Sequence, residues 1–432
     1  MKISLFEKIV SIDSFVYVHQ VDRHEECRFS VSVAEKNIKD CAAKPGDECS
    51  VEHDGFKFSG IVTEIAKIHT FTDWRLEVVL TGKTLKFDKE KKRRVFQNDK
   101  KKLADILKCT GMSETDVTLK NDDPIEEIIV QDNETDWAFA LRMAKYLGAH
   151  LFPAEKTWIG SPKNQSEDLK DEDMINSRIC FMEKGESGIC RIKKSLEFGQ
   201  KVSVEGTSFF VDSVIFRKEK EEYLTEYHLT GTEGEEITAV LPVHVLPAKV
   251  KDNDDPDKKG RVTVEFLEPY EDAMKDDAMW IETDCTWASQ TKGLVCIPFV
   301  DDEVLVRITG GRAGIEASRR TESFDSRYED CNTRYIFVND KIHLAFNEEK
   351  LVLDNSKLRL ELSEENLSVK FGDKVNIKLD ENGITLNTDK SSVEITSTAK
   401  LKTKSFEVDG GDNADITASK VNIKGNSGVS IN

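Results

Sequence analysis

Three short segments of the sequence contain residue types that could hold a metal ion. His24 and Glu25 begin like the HExxH zinc motif, but Arg28 stands where that motif places its second histidine. The acidic run 252–257 (DNDDPD) resembles a calcium loop, yet it lacks the glycine at the sixth position and the closing glutamate. The run 409–415 (DGGDNAD) is one degenerate copy of a calcium-binding nonapeptide that works only when stacked. We therefore expect a solvated turn at 252–257, no metal site and no cofactor.

Motifs for a nucleophile or for phosphate binding are missing from the sequence. Neither GxSxG nor GxxxxGK[ST] occurs. The chain contains 81 Asp and Glu residues, so chance pairs are inevitable and no pair can be assigned to glycoside hydrolysis. The nine cysteines form no CxxC and are odd in number, which argues against a zinc ribbon and a secreted disulfide framework. We therefore expect no catalytic residues and a protein that is not an enzyme.

The net charge limits the partners and the compartment. It is −19, from 62 basic and 81 acidic residues, so nucleic acid and anionic membrane surfaces are poor partners. No apolar run approaches the ~20 residues that a membrane helix needs. Glu7 and Lys8 interrupt the stretch that a signal peptide would keep apolar. We expect folding in the cytoplasm, no nucleic-acid partner and no stable membrane anchoring.

The first 240 residues (1–240) are predicted to be mainly strands, with helices near 99–109 and 133–147. The second helix has the clearer signals, since Asn133 can act as N-cap and an apolar stripe begins at Trp137. The polar stretch Ser161 to Asp173 is expected to be an exposed loop. Residues 1–240 are therefore predicted to form one mainly β domain with two helices.

Prolines and an acidic run mark a boundary near residue 240. Residues 241–312 contain five or six short strands separated by turns, which is typical of a small closed barrel. A polar connector, 313–340, is too short to hold another domain. The remaining segment, 341–432, is a chain of short strands without proline or tryptophan.

In residues 341–432, apolar pairs and triplets recur every seven to nine residues. Strict alternation within each unit places these apolar side chains on one face. A strip this narrow cannot bury that face alone, so it must coil on itself or share a core with copies of itself. The predicted core residues are Ile342, Leu344, Leu351, Leu353, Leu358, Leu360, Leu367, Val369, Val375, Ile377, Ile384, Leu386, Val393 and Ile395.

Several segments resemble the VgrG (valine-glycine repeat protein G) spike family. Residues 130–148, VQDNETDWAFALRMAKYLG, match the family's head-domain line Q-x-x-E-x-D-[WF]-x-F-x-x-R-[LM]. Lys201-Val202 and Phe209 to Val214 resemble its second head barrel. The barrel resemblance rests on Ala248-Lys249-Val250, Asn253 to Pro256, Gly260 to Phe266, Trp280-Ile281, Gly293, Pro298, Asp302 to Val306 and Gly310-Gly311. Asp301 stands where the family usually has glycine.

This resemblance implies a mainly β fold: a phage-hub-like head with two β-barrel subdomains in residues 1–240, an oligonucleotide/oligosaccharide-binding (OB) barrel as neck in 241–312, and an intertwined trimeric β-helix or prism in 341–432. It implies a homotrimeric, non-enzymatic spike and baseplate hub that punctures target envelopes for a type VI system, a phage tail or an extracellular injection particle. The partners would be the inner tube, baseplate proteins, effectors and a PAAR-type tip protein. The spike would be cytoplasmic when assembled and leave the cell on firing. The predicted tip-binding residues are Gly428, Val429, Ser430, Ile431 and Asn432.

The basic stretch 83–102 stands out in this acidic chain and has two interpretations. Its long side chains could form a solvated face over strand edges. Alternatively, Lys91, Lys92 and Arg93 could dock against an acidic tube or baseplate protein. Two other functions stay open for the whole chain: a tailspike-like, carbohydrate-acting β-helical enzyme, and a trimeric adhesin stalk.

Overall fold

The structure is a computed structural model that describes residues 1–6, 11–69, 71, 73–182, 185–231, 240–274, 278–284, 296–319, 332–337, 341–396, 417 and 419–420. By their contacts the residues form two compact units, Met1–Thr321 and Glu322–Asn432. Strands dominate both units. No helix in the described ranges has the length and apolar character needed to cross a bilayer.

The described residues in the first half of the first unit form eleven strands, two α-helices and two short 3-10 helices. The strands are β1 (Lys2–Ile3), β2 (Ser11–Gln20), β3 (Glu26–Ala34), β4 (Glu48–His53), β5 (Phe56–His69), β6 (Asp73–Gly82), β7 (Lys91–Phe96), β8 (Asp116–Thr118), β9 (Ile129–Thr135), β10 (His150–Phe152) and β11 (Trp158–Gly160). The helices are α1 (Leu103–Lys108) and α2 (Asp136–Tyr146), and the 3-10 turns are Glu35–Asp40 and Lys83–Asp88.

The second half of this unit adds twelve strands among the described residues. They are β12 (Lys163–Leu169), β13 (Met174–Met182), β14 (Gly185–Ile192), β15 (Gln200–Val204), β16 (Thr207–Glu219), β17 (Glu222–Gly231), β18 (His244–Asp252), β19 (Thr263–Phe266), β20 (Glu271–Asp272), β21 (Glu282–Thr283), β22 (Glu303–Thr309) and β23 (Arg312–Arg319). A 3-10 turn at Asp171–Asp173 connects β12 to β13.

One twelve-stranded sheet joins the two halves of the head. Its strand order is β1-β4-β5-β6-β3-β2-β16-β17-β14-β13, and β15 links β12 to β16. The junction is the antiparallel pair β2 and β16, in which Val18 lies opposite Ile215. Apolar cores lie on both sides of the junction, one containing Phe29 and Leu76 and the other containing Phe209. The mainly β fold class predicted from sequence is therefore correct.

The expected loop between Ser161 and Asp173 is instead strand β12. It pairs in parallel with β15, with Glu167 opposite Val202 and Leu169 opposite Val204. Leu169 is buried in the adjacent core. The sequence KNQSEDL has one apolar residue and no alternation, so its backbone pairing left no periodic signal.

Both predicted helices exist, but each is shorter than expected. Helix α1 begins at Leu103 rather than near residue 99. The predicted N-cap of the second helix, Asn133, lies inside β9 with a φ of +51°. Thr135 is the actual N-cap, because its hydroxyl accepts a hydrogen bond from the amide of Ala138 at 3.1 Å. The strand pairing of β9 with β7 continues to Thr135 and so delays the helix.

Residues 244–319 form a five-stranded sheet of order β19-β18-β22-β23-β21 around its own apolar core. An isolated bridge between Val262 and Ile281, which directly precede β19 and β21, connects the two end strands of this sheet. Ile128 and Val130 from the head also belong to this core. Strand β20 pairs with β7 of the head, so the head and the barrel share a three-stranded sheet, β20-β7-β9.

The described part of the second unit is one eight-stranded antiparallel sheet. Its strands follow one another in chain order, so every neighbour in sequence is also the neighbour in the sheet. They are β24 (Arg334–Phe337), β25 (His343–Phe346), β26 (Lys350–Asp354), β27 (Leu358–Ser363), β28 (Asn366–Phe371), β29 (Val375–Asp380), β30 (Gly383–Asn387) and β31 (Ser392–Ile395).

Candidate interaction surfaces

One face of the second unit's sheet consists of two apolar side-chain ladders. The first ladder has an aliphatic residue on every strand, each directly opposite the next: Ile336, Leu344, Leu353, Leu360, Val369, Ile377, Leu386 and Val393. The second ladder begins at Arg334 and continues through Phe346, Leu351, Leu362, Leu367, Leu379, Ile384 and Ile395. We call this surface the ladder face.

Eleven of the fourteen core residues predicted from sequence belong to the two ladders, and Leu358 and Val375 lie beside them on the same face. Eight of the fourteen are exposed, and the other six are half-buried. All of them are in strands except Ile342, which directly precedes β25. Leu353 is 47% exposed and Val393 is 53% exposed. Sequence analysis missed Ile336, because the segment RYIF has three consecutive apolar residues and no alternation. The ladder face is an apolar surface that the described residues of its own unit do not bury.

From β27 to β31 the opposite face of the same sheet is polar. Glu361, Ser368 and Lys378 lie across from one another on three successive strands. Arg359 donates a hydrogen bond to Glu361 at 2.9 Å, and Lys378 lies 2.7 Å from Asp380. A sheet with one apolar and one polar face packs against a partner on the apolar side and faces water on the other.

The basic segment 83–102 is divided between exposed and internally paired residues. Of the three predicted docking residues, Lys91 and Arg93 are both exposed, and Arg93 also lies 3.4 Å from Asp132. Lys92 donates to Glu90 at 2.5 Å. Further exposed lysines are Lys83, Lys86 and Lys89, which come shortly before Lys91 in the chain.

Arg94 is largely buried and holds three elements together. Its Nη1 donates to Asp136 at 2.7 Å and to Gln131 at 3.0 Å, and its Nε donates to Glu271 of the barrel at 3.3 Å. Although burial raises the pKa of Asp136, hydrogen bonds from Gln131, Gly111 and Arg94 together lower it. Gln131 and Asp136 belong to the segment that resembles the family line, so those positions have a structural role.

Lys101 is a second buried cation of the basic segment. Its ammonium donates to the carbonyl oxygens of Asn98 at 2.5 Å, Ile125 at 2.9 Å and Glu127 at 2.6 Å. Burial lowers the pKa of Lys101 to about 8. Lys101 therefore fixes the segment before α1 to the strand-free segment before β9, and it is not available for docking.

The joint between head and barrel is made of buried polar contacts. The amide of Gln97 donates to the carbonyl of Val264 at 3.1 Å and to the carboxylate of Asp272 at 2.5 Å. Burial raises the pKa of Asp272. At the other side of the joint, Ile128 donates its amide to the carbonyl of Gly311 at 2.8 Å. Directed contacts of this kind fix the relative orientation of the two parts.

The turn at 252–257 is only partly solvated, because Asp255 is buried. Its carboxylate accepts two hydrogen bonds from Arg261, at 2.7 and 3.0 Å, and further bonds from the backbone amides of Asp257 and Lys259. The side-chain bonds from Arg261 hold the pKa of Asp255 well below its usual range. These charge-assisted hydrogen bonds satisfy the buried carboxylate of Asp255 within the chain.

The other predicted features are placed as follows. The imidazole of His24 contacts Thr84 at 2.8 Å and Asp88 at 3.4 Å, and it packs on the Trp137 ring. Glu25 accepts a hydrogen bond from the Tyr17 hydroxyl at 2.6 Å instead of facing His24. Among the described residues no group of three or more His, Cys, Asp or Glu side chains could hold a metal ion. The segments 409–415 and 428–432 lie outside the described residues.

Two family models match the chain, one in the head and one in the barrel. Residues 24–157 match the phage tail baseplate hub family, and residues 246–314 match the OB domain of type VI secretion and phage-baseplate injectors. The chain therefore contains a baseplate-hub segment followed by an injector OB segment. The order of these two segments confirms the resemblance of the sequence to VgrG-type spikes.

Solved structures show the same fold at low sequence identity. The Escherichia coli c3393 protein, a type VI secretion component described as similar to T4 phage tail proteins gp27 and gp5, has a TM-score of 0.53 and 14% identity; the match covers 74% of this chain and all of that one. The half-lidded PdpA-VgrG complex of Francisella has a TM-score of 0.54 and 10% identity over 87% of this chain and 83% of that one. No curated protein matches the sequence significantly.

Proposed function

We propose that the protein is the non-enzymatic, homotrimeric spike and baseplate hub of a contractile injection system. Three copies would cover each other's ladder faces and form a triangular rod, which sheath contraction drives through a target envelope. The head would sit on the inner tube and contact baseplate proteins. The assembly forms in the cytoplasm and leaves the cell on firing with its effectors and a tip protein.

The observation that carries this proposal is the ladder face. Eight strands at ~4.8 Å spacing make an apolar strip about 34 Å long. Monomeric proteins rarely expose contiguous apolar surfaces of this extent, and those that do use them for association. In a closed ring of parallel copies, each ladder face turns toward the common axis, so association buries it.

The same sheet is evidence against the alternative function, that of a carbohydrate-acting β-helical enzyme. Such an enzyme needs a single-chain solenoid whose coils enclose an apolar core. Strands β24–β31 are antiparallel throughout and leave their apolar face uncovered by the described residues. A screen for polysaccharide cleavage by the purified protein checks this directly, and turnover of any substrate would favour the enzyme.

The trimer is tested by charges placed on the ladder face. Leu353→Lys combined with Ile377→Lys puts two ammonium groups in the proposed core, so we expect the mass in solution to fall from three chains to one. Arg359→Ala and Lys378→Ala, on the opposite face, form the matched control and should leave a trimer. A wild-type protein that is monomeric at micromolar concentration would contradict the proposal.

We also propose that the basic segment docks against another protein, with contact residues that differ in part from those predicted from the sequence. Since Lys92 and Arg93 have internal partners, the exposed Lys89 and Lys91 are the better contacts for an acidic tube or baseplate surface. The variant Lys89→Glu/Lys91→Glu should assemble less tube on the hub. Lys44→Glu, an exposed lysine elsewhere on the head, is the control. Equal assembly in all three proteins would remove the docking role.

Residues Gly428 to Asn432 are proposed to bind the PAAR-type tip protein, as the resemblance to the VgrG spikes implies. Deleting residues 425–432 should abolish binding of the tip protein while the trimer remains. A deletion variant that still captures the tip protein and still fires would disprove this part.

A further inference from the structure

The turns that connect the strands of the second unit's sheet lie along its two sides. We call these two sides edges, and one of them is acidic. Because β24–β31 form a meander, the connecting turns alternate between the edges. The turns 347–349, 364–365 and 381–382 lie at one edge and contain no basic residue. Their glutamates are Glu348, Glu349, Glu364, Glu365 and Glu381. We call this the acidic edge.

The turns at the opposite edge contain the lysines. The turns of this edge that are described in full are 355–357, 372–374 and 388–391, and each has one lysine. They are Lys357, Lys374 and Lys390. Asp373 and Asp389 also lie here, so the three turns sum to 3 − 2 = +1, against −5 for the acidic edge. We call this the lysine edge.

The glutamates are not explained by the turns in which they lie. All five are exposed, and none has an ion-pair partner among the described residues. Other side chains fix these turns: Asn347 accepts from the amide of Glu349 at 3.0 Å, Ser363 from that of Asn366 at 3.1 Å, and Asp380 from that of Asn382 at 2.8 Å. Turns favour Asn, Asp, Ser and Gly, so glutamates at these sites need another reason.

The spacing of the two edges is complementary. Successive turns on one edge are two strands apart, about 9.6 Å. Each turn of the other edge lies midway between two of them, offset by one strand, or ~4.8 Å. When the acidic edge of one copy meets the lysine edge of a parallel copy, the turns therefore interleave. Glu365 of one copy then lies between the levels of Lys357 and Lys374 of the next.

We infer that the acidic edge of each copy packs against the lysine edge of the next copy. This contact fixes all copies parallel in a closed ring in which unlike edges meet. This inference rests on the proposed trimer and names the surface that orients it. An antiparallel pair of copies would instead bring glutamates against glutamates. Exposed ion pairs contribute little stability each, but like charges placed opposite one another select strongly against the wrong arrangement.

The edge contact is tested by cross-linking the full chain. In a Cys296→Ser background, which removes an exposed thiol, Glu365→Cys and Lys374→Cys are made singly and together and treated with a short bis-maleimide. We expect covalent trimers only from the double variant. Strong cross-linking of the Glu365→Cys single variant, or a trimer whose double variant stays unlinked, would overturn the inference. A monomer before cross-linking would instead overturn the proposed function.

Charge reversal provides the second test. Changing the five glutamates to lysine makes the net charge less negative, from −19 to −9. This change by itself reduces the repulsion between copies. We nevertheless expect assembly to weaken at least tenfold, because two positive edges would meet. Also changing Lys357, Lys374 and Lys390 to glutamate should restore a trimer that does not mix with wild-type chains. Wild-type assembly of the first variant, or free mixing of the second, would contradict the inference.

Discussion

Asp301 has a backbone conformation that glycine adopts without steric cost. Its φ is +75°, in the left-handed region. Its amide donates to the carbonyl of Val250 at 3.0 Å, and its carboxylate lies 2.8 Å from the ammonium of Lys249. The glycine that the family usually has at this position is therefore explained by the turn itself, and aspartate is tolerated because its short polar side chain suits this region.

Asp301→Gly is expected to stabilise the first unit, because it removes the left-handed strain. The exposed contact with Lys249 contributes little. We expect the midpoint of thermal unfolding to rise by roughly 1–2 °C, measured by calorimetry. Lys249→Ala removes the same contact without changing the backbone and should leave the midpoint unchanged. A lower midpoint in the glycine variant would show that the carboxylate matters more than the strain.

Asp255 makes the barrel sensitive to acid. Because Arg261 lowers its pKa, its contribution is fully present above the ordinary Asp value of ~3.9 and is lost as the pH falls toward the lowered pKa. Asp255→Asn should lower the unfolding midpoint by several degrees at pH 7, and the difference should shrink below pH 4. Asp254→Asn, at an exposed position of the same turn, is the control. An equal loss at both pH values would contradict the ion-pair explanation.

At this scale sequence reasoning recognised residue types but not their environments. An aspartate within DNDDPD looks solvated, and its burial depends on an arginine six residues later that folds back on it. Asn133 and Thr135 are both good N-caps, and the choice between them was made by strand pairing. Such outcomes depend on tertiary contacts that no local pattern contains.

The joint between head and barrel depends on a close approach of two segments. Gly311 has a φ of +79°, and a Cβ at this position would lie 2.2 Å from the Cβ of Glu127. Gly310 also has a positive φ, +56°, but a Cβ there would meet nothing within 4 Å. Alanine substitutions at these two neighbouring glycines therefore distinguish the cost of backbone strain from the cost of a steric clash.

Gly311→Ala should destabilise the first unit by about 2–4 kcal/mol, as the sum of strain and overpacking. Gly310→Ala carries only the strain and should cost about 1 kcal/mol. Urea unfolding monitored by tryptophan fluorescence measures both. Equal losses for the two variants would mean that Glu127 moves aside freely and that the joint is not tightly packed.

At the scale of helices and strands, the sequence predicted the elements whose apolar residues recur with a regular period. The amphipathic stripe at Trp137 and the alternating strands of residues 341–396 are real elements. Strand β12 was missed because Leu169 is its one apolar residue, so it has no alternation, and because it is held by the backbone of β15. Strand β20, with two residues, was also beyond a periodicity argument. Pairing with a distant strand decides such segments.

At the scale of the whole molecule, the ladder face was predictable because side-chain alternation is local, whereas its cover was not. If three copies provide that cover, unfolding follows mass action. The unfolding midpoint of the second unit should rise when the protein concentration is raised 100-fold, and Leu353→Lys/Ile377→Lys should show no such rise. Calorimetry at two concentrations makes the comparison. A midpoint independent of concentration in wild-type protein would argue for a self-sufficient sheet.

The meander also makes the second unit's sheet modular. Residues 358–374 contain two strands and both of their turns, and removing these 17 residues would join Lys357 to Val375 just as Lys374 is joined now. Both apolar ladders and the alternation of charge would stay in phase. Whole two-strand segments can therefore be removed or duplicated to change the length of this sheet in steps of about 10 Å, without altering the strands at either end of it.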